Sequence, residues 1–327
     1  MRSLVPDVCK RPERKIMNFV QNVKDWLVGL GPDHSLVQLA LKVHGQRRGF
    51  RLRFHDGKIF ISKGNRILVL RERDYTLVPA TLECIEMFFE TVEGRSTAEG
   101  LTLDFSAPGM HRYRRWDVDL AFPGIPEDDS IDAYTHKFKP REGMVVLDVG
   151  AHAGLTTYFF AKMVGATGHV YAFEPDHVSR TYLVENVRRM NLQNVTVLDM
   201  AVGDRCGEAL FNMDGSMSAG LVDHLVYPNT GEKKPVQVTT IEAFARQLSR
   251  PNDYIKMDIE GAELGAIEAS LDFLKNTPIH FAFDSYHRTS DGSLTCHGLE
   301  RLFKQIEYSV ESSPQFGQMF TWASPPA

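Results

Sequence analysis

The stretch VVLDVGAHAG, Val145 to Gly154, carries an apolar, strand-forming run into an acid and then a glycine turn. Counted from Gly150, the positions that a dinucleotide fingerprint fills with its second and third glycines hold His152 and Leu155, so the turn is not made for a pyrophosphate. Asp148 argues the same way, because a carboxylate repels phosphate and attracts an ammonium or sulfonium group. S-adenosylmethionine carries both cations and no phosphate. The pattern Asp148-x-Gly150-x-x-x-Gly154, with Ala151 and His152 inside the turn, suits it.

A second acid, Glu174, ends the following strand, at about the interval where a carboxylate takes the two ribose hydroxyls, and Pro175 stiffens the exit. The third strand ends in Leu198-Asp199-Met200-Ala201, where Asp199 can accept from the adenine amino group and Met200 or Ala201 can pack on the ring. Singly, Asp148 reads equally well as a helix cap and Glu174 as a solvated loop acid. In order, at successive strand ends, they read as a cofactor site.

Methyl transfer from a sulfonium is an in-line displacement, in which holding the acceptor behind the methyl carbon is worth roughly 7–11 kcal/mol. A general base that takes the acceptor's proton adds a factor of about 10²–10⁴. Alternation along YIKMD puts Tyr254, Lys256 and Asp258 on one side of a strand, with Asp258 at its end and Glu260 starting the next turn. Lys256 with Asp258 is either a buried ion pair that fixes the strand or a positioned base, and the cofactor edge of the sheet favours the base. His287 is the other candidate base. Alternatively, Asp258, Asp284 and His287 hold Mg²⁺, since carboxylates at neighbouring strand ends suit hard cations. The long turn-rich stretch from Met213 to Pro235 reads as a substrate lid rather than a poorly ordered loop.

The elements that must position these groups follow from the periodicity. From Arg141 onward, strands at Met144–Val149, His169–Phe173, Val195–Leu198, DYIKMD and IHFAFD alternate with amphipathic helices, which predicts a doubly wound, mostly parallel α/β sheet. A last helix near Leu299 to Ile306 leads to strands near Tyr308 to Val310 and Met319 to Trp322. Upstream, Ile16 to Leu30 has helical spacing, and a second helix capped by Asp33 or Ser35 runs to about Gly45. The first of these docks on the body of the protein or lies on a membrane surface. Three short strands then turn at Asp56-Gly57 and Gly64-Asn65, followed by a helix from Pro79 to Val92 and a strand from Leu101 to Phe105. The expected division is an N-terminal helical and β-rich extension, residues 1–132, and a cofactor-binding domain, 133–327.

Composition bounds the function. The 327 residues are 43% hydrophobic and 24% charged, with a net charge of −5, which argues against a globally basic nucleic-acid binder. Basic residues do cluster in the small β-rich region, Arg47 to Arg73, and read mainly as a solvated sheet face, as an alternative to a grip on an acidic substrate. HRYRRWD, His111 to Asp117, has the same ambiguity. Cys9, Cys84, Cys206 and Cys296 form no C-x-x-C pair and fit a reducing cytoplasm. Polar residues interrupt the N-terminal apolar stretch, so no transmembrane segment is expected.

With these residues in view, the sequence resembles the FkbM family of S-adenosylmethionine-dependent methyltransferases. The likeness rests on LDVGAHAG (Leu147–Gly154), YAFEPD (Tyr171–Asp176), Glu185-Asn186, NVTVLDMAVGD (Asn194–Asp204) and above all IKMDIEGAE (Ile255–Glu263), and covers about Phe138 to Tyr308. It implies a class I methyltransferase fold, Rossmann-like with a seven-stranded sheet, and methyl transfer to a hydroxyl of a sugar or secondary metabolite. Relatives often end the fifth strand in an acid closely followed by histidine; here Asp284 and His287 are three apart. The N-terminal region has no counterpart in the family and is expected to select substrate or form a homo-oligomer. Three rival readings remain. They are an NAD(P)-dependent oxidoreductase, disfavoured by the missing glycines, a non-catalytic protein that keeps the cofactor pocket, and a nitrogen methylase, which lacks its Asn/Asp-Pro-Pro-Tyr loop here.

Overall fold

A computed structural model describes residues 29–127, 129–213, 219–223, 232–289, 292–315 and 318–326. The amphipathic stretch beginning at Ile16 lies outside the described residues up to 28. Helix α1 (Ser35–Arg47) is capped by His34, whose ring accepts from Leu36 N, rather than by Asp33 or Ser35. Strands β1 (Arg51–His55), β2 (Lys58–Lys63) and β3 (Arg66–Arg71) form the expected antiparallel meander. Helix α2 (Val78–Thr91) follows, and β4 (Arg95–Thr97) and β5 (Gly100–Asp104) complete a five-stranded sheet in the order β1-β2-β3-β5-β4. Much of the basic cluster is paired, in part with acids of helix α2: Arg48 with Glu83, Arg53 with Glu99, Lys63 and Arg66 with Glu86, and Arg71 with Asp74.

The sequence reading did not place the next hairpin, β6 (Gly109–Tyr113) and β7 (Val118–Phe122), which contains most of HRYRRWD. Those side chains are engaged within the protein: Arg112 with Asp117 and Asp119, Arg115 with Asp132, and Trp116 Nε1 donating to Asp129. After α3 (Ile131–Tyr134) the alternating part begins with β8 (Val145–Val149), α4 (Leu155–Val164), β9 (His169–Phe173), α5 (His177–Arg189) and β10 (Val195–Leu198). Then come β11 (Ala201–Val202), β12 (Gly207–Met213), β13 (Gly220–Leu221), β14 (Glu232–Thr239), α6 (Ile241–Ala245) and β15 (Tyr254–Met257). The chain finishes with α7 (Glu263–Ala269), α8 (Leu271–Lys275), β16 (His280–Asp284), α9 (Thr295–Gln305), β17 (Ser309–Gln315) and β18 (Gln318–Ser324).

The main sheet has seven strands in the order β10-β9-β8-β15-β16-β18-β17, with β10 to β16 parallel and β18 antiparallel to both neighbours. This is the class I methyltransferase arrangement. Two local expectations need correction. The helix after β15 is broken at Ser270 into α7 and α8, and the Ser270 hydroxyl instead accepts from Glu242 N. The supposed lid is partly sheet: Glu232–Pro235 pairs with Leu210–Met213 because Val236 and Val238 alternate inward and pull β14 onto β12. Residues 214–218 and 224–231 of that stretch lie outside the described residues.

Period-two alternation divides the core. Leu147, Val149, Ile255, Met257, Phe281 and Phe283 face one side of the sheet, while Val146, Tyr254 and Ala282 face the other. The second face shares a single core with the N-terminal sheet and hairpin, through residues such as Ile59, Phe88, Tyr113 and Phe122. Among the described residues no helix is long and apolar enough to cross a membrane.

Candidate active site

The glycine turn after β8 is fixed by backbone geometry. Gly150 has φ 78°, and a Cβ there would sit 1.9 Å from the Asp258 carbonyl oxygen, so only glycine lets the turn pack under the exit of β15. His152 takes a left-handed conformation itself, φ 46°, at the position a dinucleotide turn gives to glycine. Asp148 is fully buried: Oδ2 accepts from Thr156 Oγ1 (2.9 Å) and Thr157 Oγ1 (2.5 Å), and Oδ1 lies 3.4 Å from Lys256 Nζ. The carboxylate expected to face the cationic ligand is therefore turned inward, tying the first turn of α4 to β8. Of the two readings of Lys256 with Asp258, an ion pair or a positioned base, the structure shows an ion pair made with a different acid: Lys256 reaches across to β8, where its Nζ also donates to the Gly150 carbonyl (2.6 Å). Burial pulls the Lys256 pKa down, but the charges of Asp148, Asp258 and Glu127 outweigh it and hold the ammonium above its ordinary value.

Glu174 sits at the end of β9, with Oε2 accepting from His152 N (2.7 Å) and Oε1 from Asp176 N (2.8 Å). Burial pushes its pKa up to about 7, against the lowering effects of His152 and these amides. Arg180 of α5 donates to the carbonyls of Glu174 and Pro175 and pairs with Asp199 at 2.7 Å. Asp199, paired with this arginine yet 66% exposed, also lines a cleft of about 360 Å³ with Pro175, His177, Arg180, Met213 and Lys234. Met200 packs against the apolar core and Ala201 is buried at the start of β11.

Sequence reasoning missed Glu127. Its Oε1 accepts from the amides of Ala153 and Gly154 (3.1 Å each) and lies 3.2 Å from His152 Nδ1. An acid in a proline-rich loop gives no local signal of such a role. The carboxylate fills the amide nest at the start of α4, where a pyrophosphate would bind. Burial draws the His152 pKa down, but the hydrogen bond and charge of Glu127, with Glu174 and Asp176, keep it raised. Asn186, of the Glu185-Asn186 motif, is buried and bridges three backbone groups: it accepts from Ala121 N (2.8 Å) and donates to the carbonyls of Ala121 (2.9 Å) and Ala153 (2.8 Å).

Across the turn, Asp258 is a third exposed and accepts from Tyr134 OH at 3.3 Å. His287 Nε2 lies 3.8 Å from Asp258 Oδ1 and 3.6 Å from Glu260 Oε2, and Nδ1 is 3.2 Å from Glu263 Oε1. Burial lowers the His287 pKa, yet Glu263 and Glu260 reverse this and hold it well above its ordinary value. Asp258, Glu260 and His287 bring ligating atoms within 4.8 Å of one another; Asp284, expected in that group, is not part of it. The left-handed backbone at Glu260, φ 57°, folds the turn back so that Glu260 takes the expected place of Asp284. The acids in Asp258-x-Glu260-x-x-Glu263 were visible in the motif, but their convergence on His287 was not.

The family model for the methyltransferase FkbM domain matches residues 148–322. The chain belongs to the FkbM methyltransferase family. Among solved structures, it is similar to a methyltransferase FkbM from Methylobacillus flagellatus KT, at 16% identity and a TM-score of 0.44, over 91% of this chain and 60% of that one. This chain therefore aligns with less than two thirds of the Methylobacillus protein. It is also similar to a SAM-dependent methyltransferase from Aquifex aeolicus, with 18% identity, TM-score 0.35, and 60% and 93% of the two chains covered. A precorrin-6y C5,15-methyltransferase from Geobacter metallireducens GS-15 gives 13% identity and a TM-score of 0.40, over 62% and 90%. No curated protein matches the chain.

Family membership implies S-adenosylmethionine, and the residues present fit it. Acids predominate around the turn, with Glu127, Glu174, Asp258 and Glu260 close to it and Lys256 already paired. Such a surround favours a cationic ligand over a pyrophosphate, whose amide nest Glu127 already fills.

Proposed function

We propose that this protein transfers a methyl group from S-adenosylmethionine to a hydroxyl of a small-molecule or glycan acceptor. The observation that carries the reading is the contact between Gly150 and the Asp258 carbonyl, which sets a partly exposed carboxylate beside the cofactor turn. S-adenosylmethionine supplies an electrophilic methyl on a sulfonium that is a good leaving group.

The chain's own groups do the rest. Glu174, fixed by two backbone amides, would take the ribose hydroxyls; Gly150, Ala151, His152 and Gly154 would line the methionine end. Pro175, Asp199, Met200 and Ala201 would flank the adenine. Asp258 Oδ2 is oriented by Tyr134 OH, whose own carbonyl accepts from Tyr254 OH (2.6 Å), and would take the acceptor's hydroxyl proton. Lys256 holds the Gly150 carbonyl and so keeps the turn in register with Asp258. His287 stands behind Asp258, Nε2 3.8 Å from Oδ1, as the second candidate base. Residues 1–132 would form the extension that selects the acceptor.

The test combines calorimetric titration with S-adenosylhomocysteine and a screen of hydroxylated sugars and secondary metabolites for a mass gain of one methyl group. Asp258→Asn should retain the calorimetric signal and lose the methylated product. Failure of the wild-type protein to bind S-adenosylhomocysteine would overturn the reading.

A further inference from the structure

The Asp258–Glu260–His287 cluster has features that proton transfer alone does not require. His287 is 7% exposed, and its Nε2 lies more than 3.5 Å from each of the carboxylate oxygens it faces. Nε2 points between two carboxylate oxygens at 3.8 and 3.6 Å, beyond hydrogen-bond reach of both. Two atoms that each lie about 2.1 Å from one ion stand roughly 3.0–3.4 Å apart, so the three ligating atoms, all within 4.8 Å of one another, close around a cation by moving inward. On the far side, Glu263 is fully buried beside Nδ1, and its Oε1 also accepts from Ile259 N (3.0 Å). A carboxylate behind the outer nitrogen is how metal-binding histidines are oriented. The carboxyl groups of Asp258, Glu260 and Glu263 thus surround one imidazole. Asp258 and Glu260 are the more open members, at 33% and 20% side-chain exposure, so the cluster presents one accessible side.

We infer that Asp258, Glu260 and His287 form a binding site for one divalent transition-metal cation, with Glu263 orienting the histidine. One imidazole with two carboxylates suits Mn²⁺ or Zn²⁺ better than Mg²⁺, which prefers an all-oxygen shell. Three protein ligands and an open side match a site that keeps a position for an oxygen of the second reactant. An acceptor hydroxyl there loses its proton more readily, and the second oxygen of Asp258, the one facing Tyr134, takes that proton. This step rests on the proposed methyl transfer; the binding site does not.

The experiment titrates Mn²⁺ into the metal-free full-length protein, followed by electron paramagnetic resonance, for wild type, Glu260→Gln, Glu263→Gln and His287→Asn. Thermal melts check that each variant is folded. One bound Mn²⁺ per chain is expected, displaced by Zn²⁺, with affinity at least tenfold lower for Glu260→Gln and His287→Asn. Glu263→Gln should cost roughly 10–100-fold. If His287→Asn does not fold, Glu260→Gln on the exposed side decides the matter. Absence of binding by wild type, or equal binding by wild type and Glu260→Gln, would overturn the inference. A separate titration with S-adenosylhomocysteine distinguishes the failures: binding of that compound without Mn²⁺ defeats only the metal site, and the reverse defeats only the proposed function.

Discussion

Lys256 and Asp148 meet between adjacent parallel strands, Nζ to Oδ1 3.4 Å, with the acid fully buried and the lysine nearly so. A buried pair of this kind stabilises little against an apolar replacement of both partners, but removing one partner strands a charge. Lys256→Met should therefore cost roughly 3–5 kcal/mol in denaturant unfolding. Adding Asp148→Asn to that variant should recover part of the loss. A double variant as unstable as the sum of the two singles would show that the two side chains act independently.

Glu174 makes ligand affinity depend on pH. A carboxylate must be ionised to accept a ribose diol, and in the ligand-free protein this one titrates near 7. S-adenosylhomocysteine should bind about tenfold more weakly at pH 6 than at pH 8, and Glu174→Gln should flatten the profile. The ligand-free fold responds in the opposite sense. The folded pKa lies above the ordinary 4.5, so this group's contribution to stability is full below that value and is lost as pH rises through about 7.

Asn186 replaces a neighbouring strand for the free edge of β7. Asn186→Ala leaves the amide and carbonyl of Ala121, and the carbonyl of Ala153, without that partner. Roughly 2–4 kcal/mol should be lost. Faster hydrogen exchange at the Ala121 amide would separate this cause from general loosening of the core.

The two turn glycines should respond unequally to alanine. At Gly154 a Cβ meets Leu183 Cδ1 at 2.5 Å, the end of a side chain that can rotate, so Gly154→Ala should cost about 1–2 kcal/mol for its left-handed backbone. At Gly150 the obstacle is a backbone carbonyl on β15. Gly150→Ala should cost more, and S-adenosylhomocysteine binding should vanish with it. Calorimetry and melting curves on both variants check the ranking.

Local signals are legible in the sequence because they act over a few residues. The turns at Asp56-Gly57 and Gly64-Asn65, the strands carrying Asp148 and Glu174, and the alternation of Tyr254, Lys256 and Asp258 all follow from periods of two or from turn chemistry. What the sequence withheld is long-range. Nothing near Glu127 announces that it reaches the amides of Ala153 and Gly154, nor does a spacing rule tell Lys256 to prefer Asp148 over Asp258. The hairpin at Gly109–Phe122 was hidden because its basic and aromatic residues mimic a ligand-binding patch. Glu260 replaced Asp284 in the acid cluster through a left-handed residue that pattern reading does not anticipate.

Tyr113 OH donates to the Glu127 carbonyl (2.5 Å), so the hairpin grips the same residue whose side chain closes the turn. Chimeras that graft a foreign front end onto residues 133–327 would discard Tyr113, Ala121 and Glu127 together. The junction that preserves a working turn lies upstream of residue 109, and the hairpin must travel with the half it braces.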